Sequence, residues 1–97
     1  MIRHVVLFTW KGDATQAQKQ ALHDELPKMP PAITVIRAYK FGPDAGINPA
    51  NYDYAVVADF DDAAGYVAYR DHPVHRELVE RHVIPISATR VAVQYEI

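Results

Sequence analysis

The stretch Ile2-Arg3-His4-Val5-Val6-Leu7-Phe8-Thr9-Trp10-Lys11 alternates between two sets of side chains. One set contains Ile2, His4, Val6, Phe8 and Trp10, and the other contains Arg3, Val5, Leu7, Thr9 and Lys11. This period of two is typical of a β-strand. Both faces of the strand are largely apolar, although helices need to cover only one of them. The second face therefore predicts another cover, either a partner subunit or an enclosed cavity.

A helix and a second strand are predicted next along the chain. The segment Thr15-Gln16-Ala17-Gln18 fits a capping box, in which the hydroxyl and the amide satisfy free backbone groups at a helix start. Prolines follow Leu26 and disfavour helical backbone, so the helix is expected to end near Leu26. Residues 33–41 are rich in β-branched and aromatic side chains, which predicts a strand, and residues 42–49 are expected to form a loop.

The second half of the chain predicts a strand, a helix in two parts and a last strand. Alternation over residues 52–60 indicates the strand, and Asp61 or Asp62 can cap a short helix that runs through Arg70. His72-Pro73 breaks the helix, which resumes through Ile84. Residues 90–97 form the last strand. The complete order predicts an α+β fold, a ferredoxin-like sandwich with a four-stranded antiparallel sheet and helices on one face.

Length and composition bound the class of protein. The 97 residues are 49% hydrophobic and 23% charged with a formal net charge of -2, which predicts one domain over residues 1–97. This charge gives no reason to expect nucleic acid or an anionic membrane as a partner. The chain has no cysteine for disulfides or thiolate metal sites, and no apolar run approaches a signal peptide or a membrane span. We therefore expect a cytoplasmic protein.

Histidines lie on the apolar face of the helix that follows the segment Tyr69-Arg70-Asp71-His72-Pro73-Val74-His75. At about 100° per residue, one half of this helix carries Val74, His75, Leu78, Val79, His82 and Val83. An imidazole among aliphatic side chains can act as an acid, a base or a ligand near neutral pH. No histidine spacing is diagnostic of a zinc site, and no glycine cluster forms a phosphate loop, so no metal or other cofactor is expected.

The opening strand and the segment from Tyr69 to His75 resemble the stress-responsive A/B barrel (Dabb) domain family over nearly the whole chain. The resemblance implies a ferredoxin-like protomer, and two protomers that press their sheets together into a dimeric α+β barrel. A homodimer would account for the second apolar face of the first strand.

The resemblance also implies a candidate site, because a plant polyketide cyclase of this family closes a ring by aldol condensation without metal or organic cofactor. Its essential histidine and tyrosine would match His75 as the base and Tyr69 as the group that hydrogen-bonds the enolate oxygen. The substrate-binding residues would be His4, Val6, Phe8, Leu22, Leu26, Val56 and Ala58. Leu22 and Leu26 replace a phenylalanine and a tyrosine of the cyclase, so the polyketide itself is not the expected substrate.

Several interpretations of these residues and of the function stay open at this point. His75 and His4 can equally be core histidines with satisfied hydrogen bonds, Tyr69 can simply anchor its helix, and His23 is expected at the surface. One functional hypothesis is a cofactor-independent cyclase or lyase that acts on a polyketide-like or other small carbonyl compound. The alternatives are a non-catalytic, stress-responsive dimer that binds a small apolar or aromatic ligand or is purely structural, and a cofactor-free monooxygenase.

Overall fold

Four antiparallel strands form one sheet in the computed structural model, which describes all residues, 1–97. The strands are β1 (Ile2–Trp10), β2 (Ala38–Pro43), β3 (Tyr54–Phe60) and β4 (Ser87–Glu96). Their spatial order is β2-β3-β1-β4, so β1 lies between β3 and β4 in the middle of the sheet. Each half of the chain runs strand, helices, strand, and this confirms the predicted ferredoxin-like α+β fold.

The helices pack against one face of this sheet. They are α1 (Gln16–Glu25), α2 (Met29–Ala32), α3 (Ala63–Asp71) and α4 (Pro73–Leu78), with a 3-10 turn at Leu26–Lys28 and a π-helical turn at Val79–Val83. The predicted capping box is present, because the Gln18 amide donates to the Thr15 hydroxyl (3.1 Å) and the Thr15 amide donates to the Gln18 side chain (2.9 Å). None of the helices is both long and apolar enough to cross a membrane.

One predicted boundary between α1 and β2 is confirmed and the other is wrong. α1 ends at Glu25 with Leu26 as its C-cap, as predicted, although short helical pieces continue to Ala32. They form because Pro27 and Pro30 each fall in the first turn of a new piece, where a missing N–H costs little. The strand expected over residues 33–41 begins at Ala38 instead. Ile33 is fully buried in the core from a turn, and a buried turn can show the same apolar composition as a strand.

Smaller differences affect the other elements. β2 extends to Pro43, which is possible because β2 is an edge strand and proline need not donate there. Asp62, rather than Asp61, caps α3 by accepting a hydrogen bond from the Gly65 amide (2.9 Å). β3 begins two residues later than predicted and β4 begins three residues earlier, at Ser87.

The two faces of the sheet differ in how the chain covers them. On the helix side, the core includes Phe8, Val56 and Phe60, which are nearly inaccessible. The opposite face carries Leu7 and the β4 side chain Val93, which is 55% exposed. The same face also carries Val5, Val57, Val91 and Tyr95. The chain by itself therefore leaves a broad apolar surface on the outer side of the sheet.

Candidate functional site

A cavity of about 310 Å³ lies between the helix side of the sheet and the helices. Eight of the predicted site residues line it: His4, Val6, Phe8, Leu22, Leu26, Val56, Tyr69 and His75. The ninth, Ala58, is fully buried and does not reach the cavity. The lining also contains Leu78, Val79 and Val83 from the predicted apolar helix face, and residues that the sequence did not single out: Tyr39, Tyr66, Arg90, Val91 and Ala92. The cavity is thus mostly apolar, with a few polar groups.

Tyr69 and His75 lie against each other at the junction of α3 and α4. Their ring centroids are 4.1 Å apart. His72 makes this junction, because its extended backbone ends α3 and its ring Nδ1 accepts a hydrogen bond from the Val74 amide (3.1 Å) at the start of α4. The expectation that His72 ends a helix is confirmed. The chain reversal at His72 brings the His75 ring back onto Tyr69.

The imidazole of His75 has a defined tautomer. Its Nδ1 lies 3.1 Å from the backbone carbonyl oxygen of Arg70, and a carbonyl can only accept, so Nδ1 carries the hydrogen. The other nitrogen, Nε2, then has a free lone pair and makes no hydrogen bond within the chain. Every fully buried polar side-chain atom has a partner, so Nε2 is not fully buried. Desolvation lowers the pKa of His75 below 6.5, and the Arg70 carbonyl opposes part of that shift.

Tyr69 is held by a second tyrosine. Its hydroxyl lies 2.8 Å from the hydroxyl of Tyr39 on β2, and its side chain is almost completely buried. Burial raises the pKa of Tyr69 far above its usual value of 10, and the neighbouring Tyr39 adds to the shift. Burial also raises the pKa of Tyr39, to about 12. Both hydroxyls are therefore protonated at neutral pH and can donate hydrogen bonds.

His4 approaches the same group of rings from β1. Its ring centroid is 4.9 Å from that of Tyr66 and 6.2 Å from that of Tyr69. The side-chain amide of Gln94 donates to His4 Nδ1 (2.8 Å), so Nε2 of His4 carries the hydrogen. Desolvation, with a smaller contribution from His75, lowers the pKa of His4 to about 4. At neutral pH the site therefore holds two uncharged imidazoles, one of them with a free lone pair.

The remaining histidines lie outside the cavity lining. His82 is half-buried on the π-helical turn and lines two other, more polar pockets. His23 was expected at the surface, but it is half-buried, and its Nδ1 lies 2.7 Å from the hydroxyl of Tyr54. The structure brings together no group of three or more histidine, aspartate or glutamate side chains that could hold a metal ion.

A four-stranded antiparallel sheet, helices on one face and an apolar cavity between them define a ferredoxin-like protein with an internal pocket. The chain belongs to the family described as the stress responsive A/B barrel domain, whose model matches residues 2–97. No curated protein sequence matches the chain. The finer resemblance, to a plant polyketide cyclase, stays a prediction.

Solved structures share this fold over the whole chain. A dimeric ferredoxin-like protein of unknown function from Thermobifida fusca is 44% identical, with a TM-score of 0.92, and the match covers 99% of this chain and 90% of that one. A hydroxynitrile lyase from Passiflora edulis is 20% identical, with a TM-score of 0.86 and coverage of 99% and 92%. An antibiotic biosynthesis monooxygenase is 15% identical, with a TM-score of 0.80 and coverage of 100% and 98%. The last two show likeness of fold alone.

Proposed function

We propose that the protein is a cofactor-independent acid–base enzyme, a lyase or cyclase that acts on a small apolar carbonyl compound in this cavity. One observation carries the proposal. The Tyr69 hydroxyl and the His75 imidazole belong to rings 4.1 Å apart, both rings line the same cavity, and His75 Nε2 has no partner in the chain. The shared fold of a named lyase supports this reaction class.

His75 acts as the general base in this proposal. Its imidazole is neutral at pH 7 because desolvation lowers its pKa, and the Arg70 carbonyl fixes the hydrogen on Nδ1. The Nε2 lone pair can therefore remove a proton from a carbon next to the substrate carbonyl. The imidazolium that forms keeps its Nδ1–H bond to Arg70 and returns the proton later in the reaction.

Tyr69 stabilises the oxygen on which negative charge develops. Its buried hydroxyl stays protonated and can donate to the carbonyl oxygen as this becomes an enolate oxygen, and the Tyr39 hydroxyl, 2.8 Å away, can then donate to the Tyr69 oxygen. The N–H at Nε2 of His4 is a further neutral donor in the same group of rings. The enolate carbon then attacks a second carbonyl to form a carbon–carbon bond, and the reverse sequence cleaves one.

The first half of this reaction can be tested without knowing the natural substrate. In D₂O, a general base exchanges the hydrogens next to a carbonyl for deuterium, which NMR detects in a panel of methyl ketones and aryl alkyl ketones. We expect the wild type to exchange at least one member of the panel. His75→Asn should lower that rate about 10²- to 10⁴-fold. The matched control is His82→Asn, a half-buried histidine outside the cavity, which should leave the rate unchanged.

Two results would count against the proposed enzymatic function. Equal exchange by the wild type and the His75→Asn variant would show that His75 is not the base. Binding of panel members with no exchange at all would favour the second candidate, a non-catalytic carrier of small apolar ligands, for which the mostly apolar lining is the supporting observation. Oxygen uptake with the same panel would instead indicate the third candidate, a cofactor-free monooxygenase, for which the shared fold of the antibiotic biosynthesis monooxygenase is the supporting observation.

A homodimer is part of the same proposal. Val93 and Tyr95 are about half exposed on the outer face of the sheet, and the 44% identical neighbour is described as dimeric. A second copy that covers this face would remove a contiguous apolar surface from water, which is the main driving force for such association. Sedimentation at micromolar protein concentration measures the mass directly, and a monomer would contradict both the family resemblance and the argument from the two-faced sheet.

A further inference from the structure

Arg90 is the one permanently charged residue in the lining of the cavity. Thirteen of the 16 lining residues are hydrophobic, and the others are His4, His75 and Arg90. The chain gives Arg90 no ion pair and no side-chain hydrogen bond, whereas four of the six arginines, Arg3, Arg37, Arg70 and Arg81, pair with carboxylates. An unpaired guanidinium beside an apolar cavity is therefore a candidate binding group for an anion.

Arg90 lies away from the acid–base pair along the sheet. It pairs with Phe8 across β1 and β4, whereas His4 pairs with Gln94 in the same ladder. Four residues of strand separate the two positions, or about 13 Å at 3.3 Å per residue. Val6 and Ala92 form the pair between them, and both line the cavity. The cavity thus has a neutral acid–base group towards one end, an apolar middle and a cation towards the other end.

We propose that Arg90 binds the carboxylate of the ligand, so that the cavity selects an apolar carbonyl compound with a carboxylate at its far end. The planar guanidinium fork matches both oxygens of a carboxylate, and an apolar chain fills the middle. A volume of about 310 Å³ is at the small end for ligand pockets and suits a medium-chain oxo acid. The inference rests on the proposed function for the role of the carbonyl group, but its test measures binding alone.

The test compares two probes that differ only in charge. Octanoate and octanamide have the same chain, and calorimetric titration gives a dissociation constant for each. We expect the wild type to bind octanoate about tenfold tighter than octanamide, the effect of one charge-assisted hydrogen-bond pair. Arg90→Gln should bring the two constants together, and Arg90→Lys should keep part of the preference. Amide shifts at Val6 and Ala92 in NMR spectra should show that octanoate lies in this cavity.

Arg76→Gln is the matched control. Arg76 is, like Arg90, exposed and without a carboxylate partner, but it lies on α4 and does not line the cavity, so its loss should leave the preference for octanoate intact. Equal binding of the two probes by the wild type would overturn the inference, and so would no binding of octanoate or a preference that survives Arg90→Gln. None of these results touches the exchange reaction, whose dependence on His75 is measured separately.

Discussion

Two of the tyrosine–histidine pairs on the helix side of this sheet use their polar atoms differently. In the pair of Tyr54 and His23, the hydroxyl and Nδ1 bond directly to each other at 2.7 Å. In the pair of Tyr69 and His75, the rings touch but their hydrogen bonds go elsewhere, to Tyr39 and to the Arg70 carbonyl. In the first pair the hydroxyl and Nδ1 are engaged with each other. The second pair leaves His75 Nε2 without a partner beside a protonated hydroxyl, and both rings line the apolar cavity, so the second pair fits the proposed acid–base role.

The surroundings of the two pairs strengthen this contrast. Tyr54 is buried against Phe8 and Trp10, and burial raises its pKa to about 12, so its hydroxyl stays protonated at all moderate pH values. Tyr54 and His23 line a separate pocket of about 290 Å³ that is lined mostly by polar residues, whereas Tyr69 and His75 both line the apolar cavity. Proximity of a tyrosine and a histidine is therefore a poor guide to function, and the direction of their hydrogen bonds is a better one.

The largest effect in this comparison is expected in kcat, which should fall on substitution of Tyr69 but not of Tyr54. Tyr69→Phe removes the hydroxyl that donates to the developing enolate oxygen, and the loss of such a donor typically lowers kcat about 10²- to 10³-fold. Tyr54→Phe removes a hydroxyl that is already bonded to His23 and should leave kcat unchanged. Rates of deuterium exchange for both variants and the wild type measure this. A similar loss in the two variants would mean that both tyrosines act through the structure of the protein.

The sequence predicts several residues that line the cavity but not the residues that hydrogen-bond to them, and this has a physical reason. Alternation placed His4, Val6 and Phe8 on one face of β1, and the family resemblance named Tyr69 and His75, whose rings lie at one helix junction. Tyr39 and Gln94 were missed because their contacts depend on the register between strands and on the sheet order, which no local pattern encodes.

The position of Arg90 in the cavity could not be predicted either, because it too depends on strand pairing. The sequence placed it at the start of the last strand, but its position opposite Phe8 follows from the pairing of β4 with β1. The misplaced boundary at Ile33 has a different cause, because burial in a turn and burial in a strand select the same side chains. Long-range pairing, rather than local propensity, therefore accounts for most of what was missed at the site.

A smaller effect is expected in the free energy of unfolding when the hydroxyls of Tyr39 and Tyr69 are removed singly and together. Tyr39→Phe or Tyr69→Phe alone leaves the other buried hydroxyl without its 2.8 Å partner, which costs about 1–3 kcal/mol. The double variant leaves no orphan and should be less destabilised than the sum of the two single variants. Urea unfolding of all four proteins measures this. Strict additivity would show that the two hydroxyls do not depend on each other.

The smallest expected effect is in the pH dependence of exchange, which tests whether His75 differs from an ordinary imidazole. The active form is the neutral base, so the rate rises with pH through the pKa of His75 and is flat above it. An imidazole with a pKa of 6.5 would be half protonated at pH 6.5 and would lose half its rate there. Because desolvation lowers the pKa of His75 in the folded protein, the rate at pH 6.5 should stay above half of its value at pH 8.

The lowered pKa of His75 also determines whether the stability of the fold rises or falls with pH. A histidine whose folded pKa lies below its unfolded value contributes stability that is complete above pH 6.5 and is lost as the pH falls towards the folded pKa. His4, with a pKa of about 4, acts in the same direction, so the rate profile should be measured above pH 6, where the fold is least affected. NMR titration of the His75 ring gives the pKa independently. A midpoint at or above 6.5 in both measurements would mean that the cavity does not desolvate His75, and the contrast with a solvated histidine would disappear.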